Sequence, residues 1–210
     1  RMYLGIRRVM EEESAQAITI NCLHLVYENL LPAYPCLAFS RLNDEGLAGV
    51  CEADMDSTLT QLIIGYLAGV PGFVSDPVFN TARNEIIYAH CVAATKMGGL
   101  QAEPEPYIIR SHAEDDKGVS LQVRMRVGQV VTVAKLVNLD QMLISTGEIV
   151  DTPDVDRACR TKITTRVKHA RRMLDNYRGG LHRVIFYGDH LQAVRDLGKL
   201  MGFEVVEEDK

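Results

Sequence analysis

The sequence predicts an α/β portion, a parallel sheet with crossover helices, followed by a mainly antiparallel β-barrel domain with helices. Over residues 1–78, short strand-like runs alternate with helical stretches, the pattern of parallel strands joined by crossovers. After Pro77 the texture changes to short β-rich runs, several of them alternating apolar with polar residues. Gly118, Gly128, Asn138 and Gly147 punctuate these runs as antiparallel hairpins require. A chain of 210 residues, 47% hydrophobic and 24% charged, is long and apolar enough for one large or two modest domains with a real core. The expected division is residues 1–78, part of an α/β domain, and residues 79–210, a barrel-like domain.

The elements follow in order. Residues 3–14 mix apolar and acidic positions at helical spacing, and 17–22 alternate as a short strand. Pro35 to Arg41 reads as a turn or strand end, and Asn43-Asp-Glu-Gly46 as a polar break before the strand Leu47–Cys51. A helix from Met55 begins beside Asp and Ser cap candidates and ends at Gly69; Val70–Ser75 is then a second strand. Glu85–His90, Val119–Met125, Val130–Leu136 and Gln141–Ser145 are the β runs, the β region ending near Ile163, and 98–106 is a surface loop. Arg166–Asn176 reads as a helix closed by Arg178-Gly-Gly180, 182–187 as a strand, and 190–201 as the last helix.

A net charge of −5 gives no attraction to phosphate backbones or anionic membranes, so neither nucleic acid nor membrane is an expected partner. The one dense basic stretch, Arg166 to Arg172, reads as a solvated helix face. Five cysteines, an odd number without a C-x-x-C pair, sit mostly in apolar runs; they read as reduced core residues and fit a cytoplasmic setting. Apolar stretches are interrupted too often for a transmembrane helix. The abrupt start at Arg1-Met-Tyr-Leu suggests a fragment of a longer protein.

Chemistry concentrates at Glu52 and Asp76, which close consecutive predicted strands where open parallel sheets bind ligands. These hard oxygen donors suit a divalent metal, acid and base work, or both; taken alone, they read first as a helix cap and a turn before proline. His182, after the Gly179-Gly180 turn and opening an apolar strand, completes a carboxylate, carboxylate, histidine set suited to a manganese-like ion with open positions. His90 ends a strand-like run, His112 lies in the charged link Arg110–Gly118, and Arg160 follows Cys159; each has an ordinary structural reading beside a sugar-binding one. Asp54, Asp56 and Asp189-His190 read as helix-start residues. There is no Ser, His, Asp triad order, P-loop or dinucleotide glycine fingerprint.

Val50-Cys-Glu-Ala-Asp54, Val74-Ser-Asp-Pro77, Glu85–Cys91, Ser111-His-Ala-Glu, Lys117-Gly-Val, Gly147-Glu148, Cys159-Arg-Thr161 and Gly179-Gly-Leu-His182, in that order, resemble the L-fucose isomerase family. The resemblance covers nearly the whole chain and matches the end of that family's second α/β domain plus its C-terminal barrel domain. One departure is Arg183, which follows His182 where related sugar isomerases commonly carry paired histidines. The resemblance implies a manganese-dependent aldose-ketose isomerase of fucose-type metabolism, acting on a deoxy or pentose sugar through an enediol. It implies Mn2+, or another hard divalent metal, on Glu52, Asp76 and His182, the two carboxylates as base and acid, and His90, His112 and Arg160 near the sugar. It implies a homo-oligomer, hexamer or trimer. The alternative is a non-catalytic carbohydrate-binding or regulatory module on the same fold.

Overall fold

The computed structural model describes residues 1–210. Helix α1 (Met2–Glu12) turns Ile6 and Met10 inward and pairs Arg7 with Glu11 and Arg8 with Glu12 on its outer face. Strand β1 (Ala17–Ile20), helices α2 (Cys22–Tyr27) and α3 (Cys36–Asp44), strand β2 (Ala48–Cys51) and helix α4 (Met55–Ala68) follow. β1 and β2 pair in parallel, from Ala17 opposite Ala48 to Ile20 opposite Cys51, and this two-stranded sheet is the only sheet formed by the expected α/β portion before β3. Where a turn or strand end was expected at Pro35–Arg41, the chain forms α3. Burial decides it: Phe39 and Leu42 are wholly enclosed, and Gly49 lets the α3 backbone lie so close that a Cβ there would stand 2.8 Å from the Phe39 Cα.

The rest of the chain is strands β3 (Phe73–Asn80), β4 (Glu85–His90), β5 (Tyr107–Arg110), β6 (Ser120–Val123), β7 (Val130–Val137), β8 (Gln141–Asp151) and β9 (Thr161–Val167), helix α5 (Ala170–Asp175), strand β10 (Arg183–Tyr187), helix α6 (Leu191–Met201) and strand β11 (Glu204–Glu207). Six strands close a ring in the order β3, β4, β9, β8, β7, β10 and back to β3, every pairing antiparallel. The length of β8 permits closure. Its first residues take β11 in parallel, and beyond them the strand takes β9, with a register shift between Ile149 and Asp151.

The strand expected at Val70–Ser75 belongs to this barrel, not to the parallel sheet. β3 starts at Phe73 and continues through Asp76 and Pro77 to Asn80. Proline does not break it because β10 pairs only with Phe73, Val74 and Ser75, so beyond Ser75 that edge of β3 needs no N–H donor. The helix expected from Arg166 is also shorter. Thr161–Val167 stays extended, with Arg166 opposite both Glu85 of β4 and Glu148 of β8, and α5 begins only at Ala170.

Strand alternation splits the core. Phe73, Ile86, Tyr88, Val133, Ile163 and Ile185 pack together in one cluster, while Val74, Ala134, Leu136, Val184 and Phe186 face α4 and α6 through Ile64 and Val194. α4 is thereby fixed against β7 and β10, with its N-terminus at the barrel rim. Arg183 is buried and clamped by Glu208 at 2.7 and 3.1 Å, so the residue in place of a second histidine is a core ion pair. All five cysteines are free thiols, four of them buried. No helix is long and apolar enough to cross a membrane.

Candidate metal centre at the barrel rim

β2 leaves its sheet through two residues in the left-handed region, Glu52 (φ 65°) and Ala53 (φ 55°), a conformation that costs residues bearing a Cβ. The Ala53 N–H donates to the Ile20 carbonyl at 3.1 Å, which pins the turn to β1. Such strain persists where surrounding structure enforces it, typically at functional sites. Asp54 follows as the N-cap of α4, accepting from the Ser57 N–H at 2.8 Å.

The other side chains come from three adjacent barrel strands. β3 lies between β10 and β4, and continuing the pairing of Arg183 with Ser75 by one residue sets His182 opposite Asp76. His182 Nε2 stands 3.3 Å from Asp76 Oδ1 and 3.5 Å from Glu52 Oε2; His90 Nε2 stands 3.6 Å from Glu52 Oε1. The two imidazoles meet edge to face, with centroids 5.3 Å apart. Asp76 therefore reaches the site from the rim of an antiparallel barrel rather than from the end of a parallel strand.

Two atoms in this group are buried without a hydrogen-bond partner, Asp76 Oδ1 and His182 Nε2, and they face each other. Unpaired buried polar atoms are costly, and a cation between them would satisfy both. Glu52, His90 and His182 each bring one ligand atom within 4.8 Å of the others, a nitrogen and oxygen set able to hold a metal ion.

Behind the ring of His182, Nδ1 lies 2.8 Å from Asp54 Oδ2. Lys135 of β7 donates to both Asp54 oxygens, at 2.9 and 2.7 Å, and to Ser57 Oγ at 2.8 Å. Burial pushes the Asp54 carboxyl up, but His182, Lys135 and Ser57 together hold it well below the usual carboxylate range. Burial draws the Lys135 ammonium down. Hydrogen bonding to His90 lowers Glu52, whereas burial raises Asp76 and the charges of Glu52 and Glu114 add to that rise. For His90 burial works downward, yet Glu52 and Asp76 prevail and raise it.

Sequence reasoning named Glu52, Asp76, His90 and His182, and these four converge. His112 and Arg160 meet each other, Arg160 reaching from just before β9 to the loop between β5 and β6. His112 stacks on Tyr34 at 3.9 Å, and Arg160 donates to the carbonyls of Ser111, His112 and Asp156 and to Asp116. Asp54 and Lys135 were not singled out for chemistry. The available signal was Lys135 itself, a lysine inside the apolar run Val130–Leu136 on the same strand parity as Val131 and Val133.

No protein-family model matches the chain. Among characterised proteins it is similar to the sulfoquinovose isomerase of Alkalicoccus urumqiensis, 24% identical over 210 residues covering 97% of this chain and 46% of the relative. It is also similar to the sulfoquinovose isomerase of Clostridium sp. (strain MSTE9), 28% identical over 178 residues covering 79% and 39%. A third, from Priestia aryabhattai, is 21% identical over 205 residues covering 95% and 45%. These relatives are sugar isomerases. They support the isomerase side of the expected resemblance without supporting membership of the L-fucose isomerase family. The chain spans about half the length of the curated relatives it matches.

Proposed function

We propose that this chain carries the metal-binding part of an aldose-ketose isomerase acting on a sugar aldose, whether of the L-fucose type or sulfoquinovose. The observation that carries the proposal is the pair of buried, unpartnered atoms, Asp76 Oδ1 and His182 Nε2, beside Glu52. Glu52, Asp76 and His182 would hold a hard divalent ion such as Mn2+, with His90 beside them. Bound there, the ion supplies Lewis-acid polarisation of the sugar's carbonyl and neighbouring hydroxyl.

Within this reading the chain's own groups move the protons. Glu52 and Asp76 keep part of their side chains open, 31% each, whereas the two imidazoles are enclosed. One carboxylate takes the proton from the carbon beside the carbonyl, giving the enediol; the same proton is returned to the adjacent carbon. The second carboxylate passes the hydroxyl proton to the former carbonyl oxygen. The carbon oxidised and the carbon reduced belong to one molecule, so no external oxidant is needed. His90, through Nε2, steadies Glu52 and adjoins the sugar. His112 and Arg160 act at one remove, by shaping the loop that carries Glu114. The exposed apolar stretch Tyr107, Ile108 and Ile109 on β5 supports a homo-oligomer.

The test uses the full-length protein: calorimetric titration with Mn2+, then ketose formation from fucose, arabinose and sulfoquinovose. Binding with turnover of any of them supports the isomerase. A folded protein that binds sugar but converts none points to the non-catalytic module, and one that binds neither metal nor sugar overturns the proposal.

A further inference from the structure

We infer that Asp54 and Lys135 form a positioning pair for His182, fixing its tautomer and ring plane so that the bare Nε2 lone pair faces Asp76 and Glu52. For its functional weight the inference rests on the metal reading above, but its structural content stands without a metal.

The geometry is over-determined. A carboxylate only accepts, so the 2.8 Å contact between Asp54 Oδ2 and His182 Nδ1 places the imidazole proton on Nδ1. In a neutral ring Nε2 is then the bare nitrogen, and it is the ring atom that stands 3.3 Å from Asp76 and 3.5 Å from Glu52. Asp54 cannot swing away, because its two oxygens also accept from the Ser57 N–H, Ser57 Oγ and Lys135 Nζ. Lys135 is enclosed, 2% exposed, and its ammonium has no other carboxylate within ion-pair distance. The pair draws on separate elements: Asp54 caps α4, Lys135 stands on β7 and His182 precedes β10. A helix cap needs only the Ser57 contact. The added lysine and histidine contacts have no capping role, and the carboxylate behind a ligating imidazole is the arrangement that sets ring orientation and basicity in metal sites.

The experiment compares full-length wild type, Asp54→Ser, Asp54→Asn and Lys135→Met. Serine keeps an oxygen for the α4 cap but is too short to span to His182. Two readouts are taken. The first is the 15N pattern of the His182 ring in metal-free protein, assigned by its loss in His182→Asn; the second is Mn2+ affinity by calorimetry. Expected, at a pH high enough that the ring is neutral, are a protonated Nδ1 and bare Nε2 in wild type, loss of that pattern in Asp54→Ser, and Mn2+ binding weakened 10- to 100-fold with the thermal transition retained. Asp54→Asn keeps one acceptor oxygen for the Ser57 N–H and turns its NH2 toward His182, so it reverses the tautomer and weakens Mn2+ binding while the cap holds, and Lys135→Met loses less than Asp54→Ser. A neutral wild-type His182 ring protonated on Nε2 rather than Nδ1 overturns the inference whatever the variants do. So does an Asp54→Ser protein with the wild-type 15N pattern and affinity. Should wild type itself bind no Mn2+, the metal reading fails while the ring pattern still decides this one.

Discussion

His90 and His182 lie edge to face, yet different groups stand behind them. The Val92 N–H faces Nδ1 of His90 at 3.4 Å, which directs the proton of its neutral ring to Nε2 and Glu52, while Asp54 accepts from the Nδ1–H of His182. Their surroundings also give opposite pH signatures in the metal-free protein. Asp54 is lowered on folding, so its stabilisation is fully present above the unfolded value of about 3.9 and is lost as pH falls through the folded one. His90 is raised, so its contribution is full below about 6.5 and is lost as pH rises through its folded value. Urea midpoints from acid to alkaline pH should show the gap between wild type and Asp54→Asn closing toward acid, and the gap to His90→Gln closing toward alkali. Parallel curves would refute both assignments. Backbone strain offers a separate check: Ala53→Gly removes a left-handed Cβ worth about 1 kcal/mol, against a smaller unfolded-state cost, and should raise the urea midpoint slightly.

Among the elements, α3 and β2 depend on one missing side chain. A Cβ on Gly49 would meet the Phe39 backbone, which cannot rotate away, so Gly49→Ala should cost about 1–3 kcal/mol in denaturant unfolding, where an exposed Gly→Ala would cost little. This contact also explains what the sequence conceals. α3 is short and follows Pro35, and its helicity is set by packing against β2 rather than by a periodic apolar face. β3 was legible as a strand but not as a barrel strand, since only the extent of β10 shows why Pro77 is tolerated. α4, β7 and α6 were legible because propensity, caps and burial agree, with Gly69 and Gly202 closing the two helices in left-handed conformations. At the candidate site the acidic and imidazole residues stood out by type. Asp54 read as a cap, which it is; its bond to His182 joins residues far apart in the chain and leaves no local pattern.

For the whole molecule, the centre joins what sequence texture separates. Glu52 leaves the two-stranded parallel sheet, and Asp76, His90 and His182 come from the barrel. A bound ion would therefore tie the small sheet to the barrel and stabilise the entire fold, by about 2.7 kcal/mol at a hundredfold excess over Kd. For a chain of this size that is roughly 5–10 °C in the thermal midpoint. Differential scanning calorimetry with Mn2+ and then with a chelator checks it, and a midpoint indifferent to both would count against any structural metal.

Arg183 adjoins His182 and is clamped by Glu208, whose own N–H donates to the Ile144 carbonyl at 3.0 Å; the guanidinium also lies 4.4 Å over the Tyr177 ring. Glu208, directly after β11, is thus a core residue, which matters at the bench. Inserted protease sites belong away from residues 204–210, where a cut would leave a guanidinium stranded in the core. Glu208→Ala should reproduce that damage, at about 3–5 kcal/mol, in a denaturant titration. The disturbance would reach the imidazole one residue away, so a preparation altered there would look metal-poor for reasons unrelated to its ligands.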